Sequence, residues 1–313
     1  MTKAVEDRLE KIPVINIIVR FLKKVKLPGL EGLSFYDLFE LYITGIVKGA
    51  LTTRASAIAF SFFTALFPFL LFILIVIPYI PIQNFKVEFQ TFLQSFLPPT
   101  TSDFFFNNIF ENIDQSQQAG LLSGVFILSI ILMANGVNAI FSGFENSYHD
   151  QLSRSVLRQY LYALGIALIL AFLLILTIAV LGYFQIYVLD EVFNVLDKRG
   201  YQISTQSTVW PDVVKYVFFV VMIYIATSTL YYFGTREGRK SKFFSVGALF
   251  TTFLIVVTSY LFGVYIENFA QYNKLYGSIG ALLILLFYLW LNSNVLLLGY
   301  ELNISIYKLR NRK

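Results

Sequence analysis

Residues 54–82 read RASAIAFSFFTALFPFLLFILIVIPYIPI, and no charged side chain follows Arg54 within this stretch. An α-helix rises about 1.5 Å per residue and a bilayer core is about 30 Å thick, so roughly 20 apolar residues are enough to span it. The stretch is longer than that and therefore predicts a membrane helix with room to tilt. Pro68 lies near its middle and removes one backbone donor, which predicts a kink.

The composition of the whole chain also indicates a membrane protein. Apolar residues make up 57% of the chain and charged residues only 14%, whereas soluble domains carry about 25% charged residues. There is no cysteine, and His149 is the single histidine. Disulfides, thiolate metal sites and multi-histidine metal clusters are therefore excluded. We attribute the net charge of +5 to basic cytoplasmic ends and do not expect nucleic acid binding.

Further uncharged runs follow the first one, and each is long enough to cross a bilayer. With residues 55–82 they predict six transmembrane helices, the others being 120–144, 161–189, 216–235, 243–266 and 275–300. The predicted fold class is therefore all-α, a polytopic membrane protein. Its domains are cytoplasmic amphipathic helices in 1–53, a six-helix transmembrane domain in 54–304 and a basic cytoplasmic tail in 305–313.

Segments outside the spans predict helices that lie at the membrane interface. Apolar positions recur at helical spacing on the N-terminal side of Arg54, opposite a basic face. Ser34 and Asp37 form a capping-box pattern at the start of the second such helix. The connection 83–119 predicts short periplasmic interfacial helices, which either cover an outer opening as a lid or pack on the bundle.

The basic residues are distributed unequally between the two sides of the predicted bundle. Of the 24 Lys and Arg residues, 19 lie on the side that carries both termini and five lie on the other side. Cytoplasmic loops of membrane proteins carry the excess of Lys and Arg. Both termini are therefore predicted to be cytoplasmic.

Polar side chains inside the spans are the candidate site residues, because they are costly in hydrocarbon and usually face protein or a water-filled cavity. The second span and its extension carry a set spaced three or four residues apart, and hence on one helix face: Asn135, Asn138, Ser142, Glu145 and His149. Such a face either forms the polar wall of a substrate path or provides interhelical hydrogen bonds, which is the commoner use.

The sixth span adds Asn292, Asn294 and Glu301 to the candidate path. By the predicted topology, Glu301 lies at the same membrane level as Arg54. We therefore hypothesise that Arg54 forms a charge pair with Glu301 or Glu145 at the inner mouth. The alternative is that these charges extend separately to the interface.

Several short motifs make the chain resemble the YihY/BrkB family of inner-membrane proteins, once labelled ribonuclease BN-like. They cover roughly residues 35–305 and comprise Arg54-Ala55-Ser56-Ala57-Ile58-Ala59-Phe60 leading to Phe67-Pro68, Glu145-Asn146-Ser147-Tyr148, Ser245-Val246-Gly247-Ala248, Tyr276-Gly277-Ser278-Ile279-Gly280-Ala281 and Gly299-Tyr300-Glu301-Leu302-Asn303. The chain departs from the family at Phe60 and Tyr300, where Tyr and Ala are expected.

The resemblance implies six transmembrane helices in a bacterial inner membrane and a role connected with the cell envelope. Proposals for the family include export or flipping of lipids or small solutes, and serum resistance in a pathogen. The ribonuclease label looks like a misassignment, and the family supplies no settled catalytic residues. We accordingly expect no enzyme activity, no cofactor and no metal.

Two functions are therefore expected, in order. The first is a transporter, exporter or flippase with a polar path between the first, second and sixth spans. The second is a non-transporting scaffold that organises envelope proteins. The expected partners are membrane lipids and a lipid or small-solute cargo, with homo-oligomers as a further option.

Overall fold

The computed structural model describes residues 20–26, 34–37, 40, 50–76, 119–146, 155–184, 210–236, 238–240, 242–269 and 278–311. Most of them belong to six long helices: α1 (Ala50–Val76), α2 (Ala119–Glu145), α3 (Val156–Tyr183), α4 (Trp210–Gly234), α5 (Val246–Phe269) and α6 (Ser278–Asn311). A short 3₁₀ turn, Gly238–Lys240, lies between α4 and α5. The all-α class predicted from the sequence is confirmed.

Five helical segments are long and apolar enough to cross a bilayer: Phe126–Glu145, Val156–Tyr183, Val213–Gly234, Val246–Ile266 and Leu282–Tyr307. In α1 the corresponding apolar segment is shorter, Leu51–Leu66. The helix itself has 27 residues, so its full length reaches about 40 Å at 1.5 Å per residue. The chain is a multi-pass membrane protein with five candidate spans among the described residues and a shorter apolar segment in α1.

The helices extend beyond the uncharged runs at several ends. α1 begins at Ala50, before Arg54, and α4 begins at Trp210. α6 continues to Asn311, through most of the segment assigned to the basic tail. Charge ends an uncharged run but not a helix, because Lys and Arg are good helix formers and the backbone stays hydrogen-bonded outside the bilayer.

The six helices form a ring in chain order. Each helix packs mainly against its neighbours along the chain, and α6 closes the ring by packing against α1. Elements that follow one another along a chain usually pack against each other in space, and the ring follows this rule. The ring brings the start of α1 and the ends of α2, α4 and α6 to the same end of the bundle, here called the Arg54 end.

Close approach within the ring depends on small residues. A Cβ atom added to Gly143 of α2 would lie 2.8 Å from Ile58 Cδ1 of α1, and one added to Gly136 would lie 3.3 Å from Ala65 Cβ. Helix association inside a membrane relies on such packing because lipid is as apolar as the side chains.

The predicted capping box is confirmed near the N-terminus. The Ser34 backbone N–H donates to Asp37 Oδ2 at 2.7 Å, and the Asp37 N–H donates to Ser34 Oγ at 3.3 Å. Most of the N-terminal amphipathic helices and the connection 83–119 lie outside the described residues. Pro68 lies inside α1, and the kink predicted there stays a prediction.

Candidate functional site: the Arg54 end of the ring

A charge pair joins three helices at the Arg54 end. Arg54 Nη2 of α1 lies 3.0 Å from Glu301 Oε1 of α6, and Arg54 Nη1 donates to the Gly143 carbonyl of α2 at 2.8 Å. The Arg54 side chain is 10% exposed and the Glu301 side chain 5%. Of the two partners considered from the sequence, the structure places Glu301 against Arg54.

The geometry of this pair suits a position that water barely reaches. A buried charge costs free energy unless hydrogen bonds satisfy it, and charge-assisted bonds of about 2.7–2.9 Å are the strong ones. Arg54 has the Gly143 carbonyl at 2.8 Å and the Glu301 carboxyl group slightly farther away, at 3.0 Å. The pair therefore fixes α1, α2 and α6 relative to one another at this end.

Three aromatic rings fill the centre of the ring of helices beside the charge pair. Phe144 of α2 stacks on Tyr300 of α6 with ring centroids 4.0 Å apart. Tyr231 of α4 meets both rings edge-on, at 5.5 Å from Phe144 and 5.6 Å from Tyr300. All three are at most 1% exposed. We call Phe144, Tyr231 and Tyr300 the aromatic plug.

Hydrogen bonds hold the two tyrosines of the plug. Tyr231 OH donates to the Leu296 carbonyl of α6 at 2.6 Å and lies 2.6 Å from Thr251 Oγ1 of α5. Tyr300 OH lies 2.8 Å from Thr235 Oγ1, just beyond α4. Buried hydroxyls need such partners. The plug is thus tied to four helices and closes the Arg54 end with packed, satisfied groups.

The crossing of α5 and α6 is unusually tight beside the plug. A Cβ atom added to Gly247 would lie 2.5 Å from the Gly299 carbonyl and 2.6 Å from Asn303 Cβ. One added to Gly299 would meet Thr251 Oγ1 and Tyr231 OH. Both glycines are therefore required by close approach of the two backbones.

The candidate residues on α2 are directed to different surroundings. Asn135 is exposed on the same helix face as the exposed Leu128 and Ile131, so it lies on the outer surface of the described bundle. Asn138 and Glu145 are partly buried. Ser142 Oγ accepts a hydrogen bond of 3.0 Å from Gln159 Nε2 of α3. The structure therefore does not gather this face around the centre of the ring.

The two asparagines of α6 bond to their own helix. Asn292 Nδ2 donates to the Tyr288 carbonyl at 2.9 Å and Asn294 Nδ2 to the Trp290 carbonyl at 2.7 Å. Among the predicted site residues, then, the structure brings Arg54 and Glu301 together and gives Ser142, Asn292 and Asn294 separate partners. His149 lies outside the described residues.

Two buried polar atoms lie one helical turn below the contact between Tyr231 and Leu296. Asn292 precedes Leu296 by four residues and Ser228 precedes Tyr231 by three. In the described part of the chain, Asn292 Oδ1 and Ser228 Oγ have no hydrogen-bond partner and are shielded from solvent. Buried unsatisfied polar atoms are rare and often mark the place of a water or ligand. Sequence reasoning missed Ser228, which lies between Thr227 and Thr229, because short hydroxyl side chains inside a helix usually bond to carbonyls of their own helix.

A cavity of about 160 Å³ lies between α1, α2 and α3. Its lining is apolar: Phe62, Ala65, Leu66, Met133, Gly136, Val137, Ala167 and Leu170. Asn138, Asn292 and Glu301 are not part of this lining. Within the described segments, no group of three or more His, Cys, Asp or Glu side chains is arranged to hold a metal ion.

Comparison with known proteins gives relatives over most of the chain. A ribonuclease-like protein named YfkH from Bacillus subtilis is 26% identical over 258 residues, which cover 82% of this chain and 90% of that protein. A UPF0761 membrane protein of Coxiella burnetii is also 26% identical, over 79% of this chain and 84% of that protein. A UPF0761 membrane protein of Psychrobacter is 22% identical over 88% of this chain and 50% of that protein.

No solved structure matches the chain. The sequence profile of the family described as Virulence factor BrkB matches residues 43–313, which include all six long helices and every residue of the Arg54 end. This agrees with the resemblance seen in the motifs around Arg54 and Glu301. The chain belongs to the Virulence factor BrkB family.

Proposed function

We propose that the protein is a transporter, exporter or flippase of the bacterial inner membrane, with a lipid or small polar solute linked to the envelope as its cargo. Both termini are cytoplasmic in this proposal, so the Arg54 end is the inner mouth. The observation that carries it is the pair of unsatisfied polar atoms, Asn292 Oδ1 and Ser228 Oγ, beneath the aromatic plug.

The position of these atoms suits a path through the centre of the ring. Asn292 lies nine residues before Glu301 on α6, hence about 14 Å deeper at 1.5 Å per residue and close to the middle of a bilayer core of about 30 Å. A polar atom left without a partner at that depth is costly in a sealed apolar core. Water or a cargo molecule that enters the ring would satisfy it.

The charge pair and the plug give this path a closed inner end. Alternating access requires that one mouth be shut while the other is open. Arg54, Glu301 and the plug join all helices of the ring except α3 at the inner mouth. The resulting state is closed to the cytoplasm in the proposed orientation.

The alternative function is a scaffold without transport. It is favoured by the density of the aromatic plug, since a bundle packed in this way also serves as a rigid platform. Neither function requires catalysis, and the proposal includes no enzyme activity and no nucleic acid partner.

Flux in reconstituted vesicles tests the proposal. The vesicles are loaded with a panel of polar solutes and a headgroup-labelled lipid, and the native protein is compared with empty vesicles. We expect flux above the empty vesicles that falls several-fold in Asn292→Ala, because that variant removes a polar contact in the path. Glu301→Gln should also reduce it, since the cycle must visit the closed state that the charge pair stabilises.

Thr177→Val on α3 is the matched control, because Thr177 Oγ1 bonds only the Leu173 carbonyl of its own helix among its described contacts. Its flux should equal that of the native protein. Asn138→Ala distinguishes a path through the centre of the ring from a path along the outer face of α2. The substitution should lower flux only if the cargo moves along α2. Absence of flux for every cargo, with folded and inserted protein, would favour the scaffold.

A further inference from the structure

A buried side-chain amide lies beside the first turn of α5. Asn303 of α6 is 6% exposed, and within the described part of the chain its Nδ2 atom has no hydrogen-bond partner. Buried polar atoms without partners are rare, and they mark places where a water or a ligand binds. The function proposed above uses Asn292 and Ser228 and leaves Asn303 unexplained.

The Asn303 side chain is directed at the start of α5. Its Cβ atom lies 2.6 Å from the position that a Cβ atom on Gly247 would take, whereas its Cα atom lies 3.1 Å from that position. Nδ2 is two bonds beyond Cβ, which is about 2.5 Å at ordinary bond lengths. The amide donor therefore lies within about 5 Å of that position. Gly247 is the second residue of α5.

The first turn of α5 offers further hydrogen-bond donors. Ser245 precedes the helix, and its Oγ atom accepts a bond of 3.2 Å from the Ala248 N–H. The N–H groups of Val246 and Gly247 come before Ala248 and, as at any helix start, have no acceptor within the helix. They lie at the positive end of the helix dipole. The Asn303 amide thus adds a buried side-chain donor to a turn that already presents backbone donors.

We propose that Asn303 and the N-terminus of α5 bind a phosphate group. Helix N-termini bind phosphate through their N–H groups and their dipole, and the oxygens of one phosphate group can accept from separate donors. Val246 is exposed, whereas Ser245 and Gly247 are buried, so the helix start is reached from the surface of the bundle. Lys242, three residues before Ser245, is also exposed and adds a positive charge nearby.

The phosphate group belongs either to a free phosphate compound or to the headgroup of a lipid in the adjacent leaflet. Both sources offer the same oxygens to the donors at the start of α5. The site is separate from the polar path and does not depend on transport of a cargo.

Thermal unfolding in the presence of phosphate tests the site. The full-length protein in neutral detergent micelles is heated in inorganic phosphate and in chloride of equal ionic strength. A ligand that binds only the folded protein stabilises it, so phosphate should raise the Tm of the native protein. Asn303→Leu removes the donor and Asn303→Asp replaces it with a carboxylate, so both should lose this rise.

Equilibrium dialysis with radiolabelled inorganic phosphate measures the binding directly. Asn303→Leu should weaken it about tenfold, the change expected when a hydrogen bond to a charged group is lost. Asn303→Leu introduces no charge and serves if Asn303→Asp folds poorly. Equal phosphate binding by the native protein and by Asn303→Leu would overturn the site.

Asn146→Asp is the matched control. Asn146 is exposed at the same end of the bundle, and its amide donates to the Ser142 carbonyl of its own helix at 2.9 Å. The variant makes the same chemical change as Asn303→Asp away from the start of α5. It should keep the native rise in Tm and the native binding of phosphate, and loss of both would overturn the assignment to Asn303.

Native mass spectrometry distinguishes the two sources of the phosphate group. The protein is released from nanodiscs that contain phosphatidylglycerol, with diacylglycerol as a control lipid that lacks phosphate. Retention of phosphatidylglycerol that falls in Asn303→Leu would assign the site to a lipid headgroup, and a rise in Tm with inorganic phosphate would assign it to a free compound. Neither result in folded native protein would overturn the proposal. These experiments measure binding without flux, so their failure and the failure of transport are distinguishable.

Discussion

Glu301→Gln is expected to lower the free energy of unfolding by about 3 kcal/mol, since removing one partner of a buried ion pair typically costs about 3–5 kcal/mol. The variant removes the negative charge beside the guanidinium of Arg54, which is 10% exposed and also donates to the Gly143 carbonyl. The glutamine side chain still has an oxygen that can accept a hydrogen bond from Arg54. We therefore expect a loss of stability at the lower end of that range. Unfolding in mixed detergent micelles measures it.

A double-mutant cycle separates the pair from its surroundings. Arg54→Gln alone should also destabilise the protein, because the buried Glu301 carboxyl group then loses the charge of Arg54. Arg54→Gln combined with Glu301→Gln should cost clearly less than the sum of the single losses. Arg158→Gln, at an exposed arginine, is the control and should stay within about 0.5 kcal/mol. Simple additivity in the double variant would contradict the pairing.

Gly247→Ala should destabilise the protein by about 3 kcal/mol, at the upper end of the cost of overpacking. The new Cβ atom would lie 2.5 Å from the Gly299 carbonyl. A backbone carbonyl inside a helix cannot turn aside as the end of a flexible side chain can. The two helices must therefore separate, which also disturbs the contact between Tyr231 and Thr251. Thermal unfolding in detergent measures the loss.

Gly263→Ala provides the matched control on the same helix. A Cβ atom at Gly263 meets nothing within 4 Å, and alanine in a helix is favoured over glycine by roughly 0.5–1 kcal/mol. Its stability should therefore be equal to the native protein or slightly higher. If Gly247→Ala behaved in the same way as Gly263→Ala, the tight crossing of α5 and α6 would be wrong.

Two features could be predicted because they depend on local properties of the sequence. They are the all-α fold class and the level in the membrane at which Arg54 meets its partner. A run of apolar residues predicts a span by its length alone. Because successive spans alternate in direction, the start of α1 and the ends of α2 and α6 lie at the same end of the bundle. That reasoning limited the partner of Arg54 to Glu301 or Glu145. The choice of Glu301 depends on the closure of the ring by α6 on α1, which no local pattern encodes.

The aromatic plug could not be predicted for the same reason. Tyr231 and Tyr300 occur among many aromatic residues of a chain with 20 tyrosines and 33 phenylalanines, so neither stands out. Their contacts depend on how far α4, α5 and α6 slide and rotate against one another. Tyr300 was recognised only as a departure from the family pattern, although it stacks on Phe144 at 4.0 Å.

The polar residues show the limit of spacing as a guide. Asn135, Asn138 and Ser142 share a helix face, yet Asn135 is exposed and Ser142 bonds to Gln159 of α3. Spacing tells which residues share a face but not whether that face points to the centre of the ring. The side-chain amide of Asn292 donates to the Tyr288 carbonyl of its own helix. Polar side chains in a helix can often form such a bond, so their presence alone does not indicate a polar path.

The absence of cysteine in the chain allows the central claim, a polar path closed at the Arg54 end, to be tested with single-cysteine variants. The measurement is the rate at which Asn292→Cys reacts with a membrane-impermeant maleimide in inverted vesicles, with Glu301 intact or replaced by Gln. Phe287→Cys is the control, because Phe287 of the same helix is 48% exposed on the apolar surface.

We predict that Asn292→Cys is protected when Glu301 is intact and reacts about tenfold faster or more with Glu301→Gln, the change expected when an opening equilibrium shifts by about 1.4 kcal/mol. Phe287→Cys should stay slow in both backgrounds because it faces lipid. If Asn292→Cys were as unreactive as Phe287→Cys in both backgrounds, the centre of the ring would be a sealed core and the transport account would be contradicted.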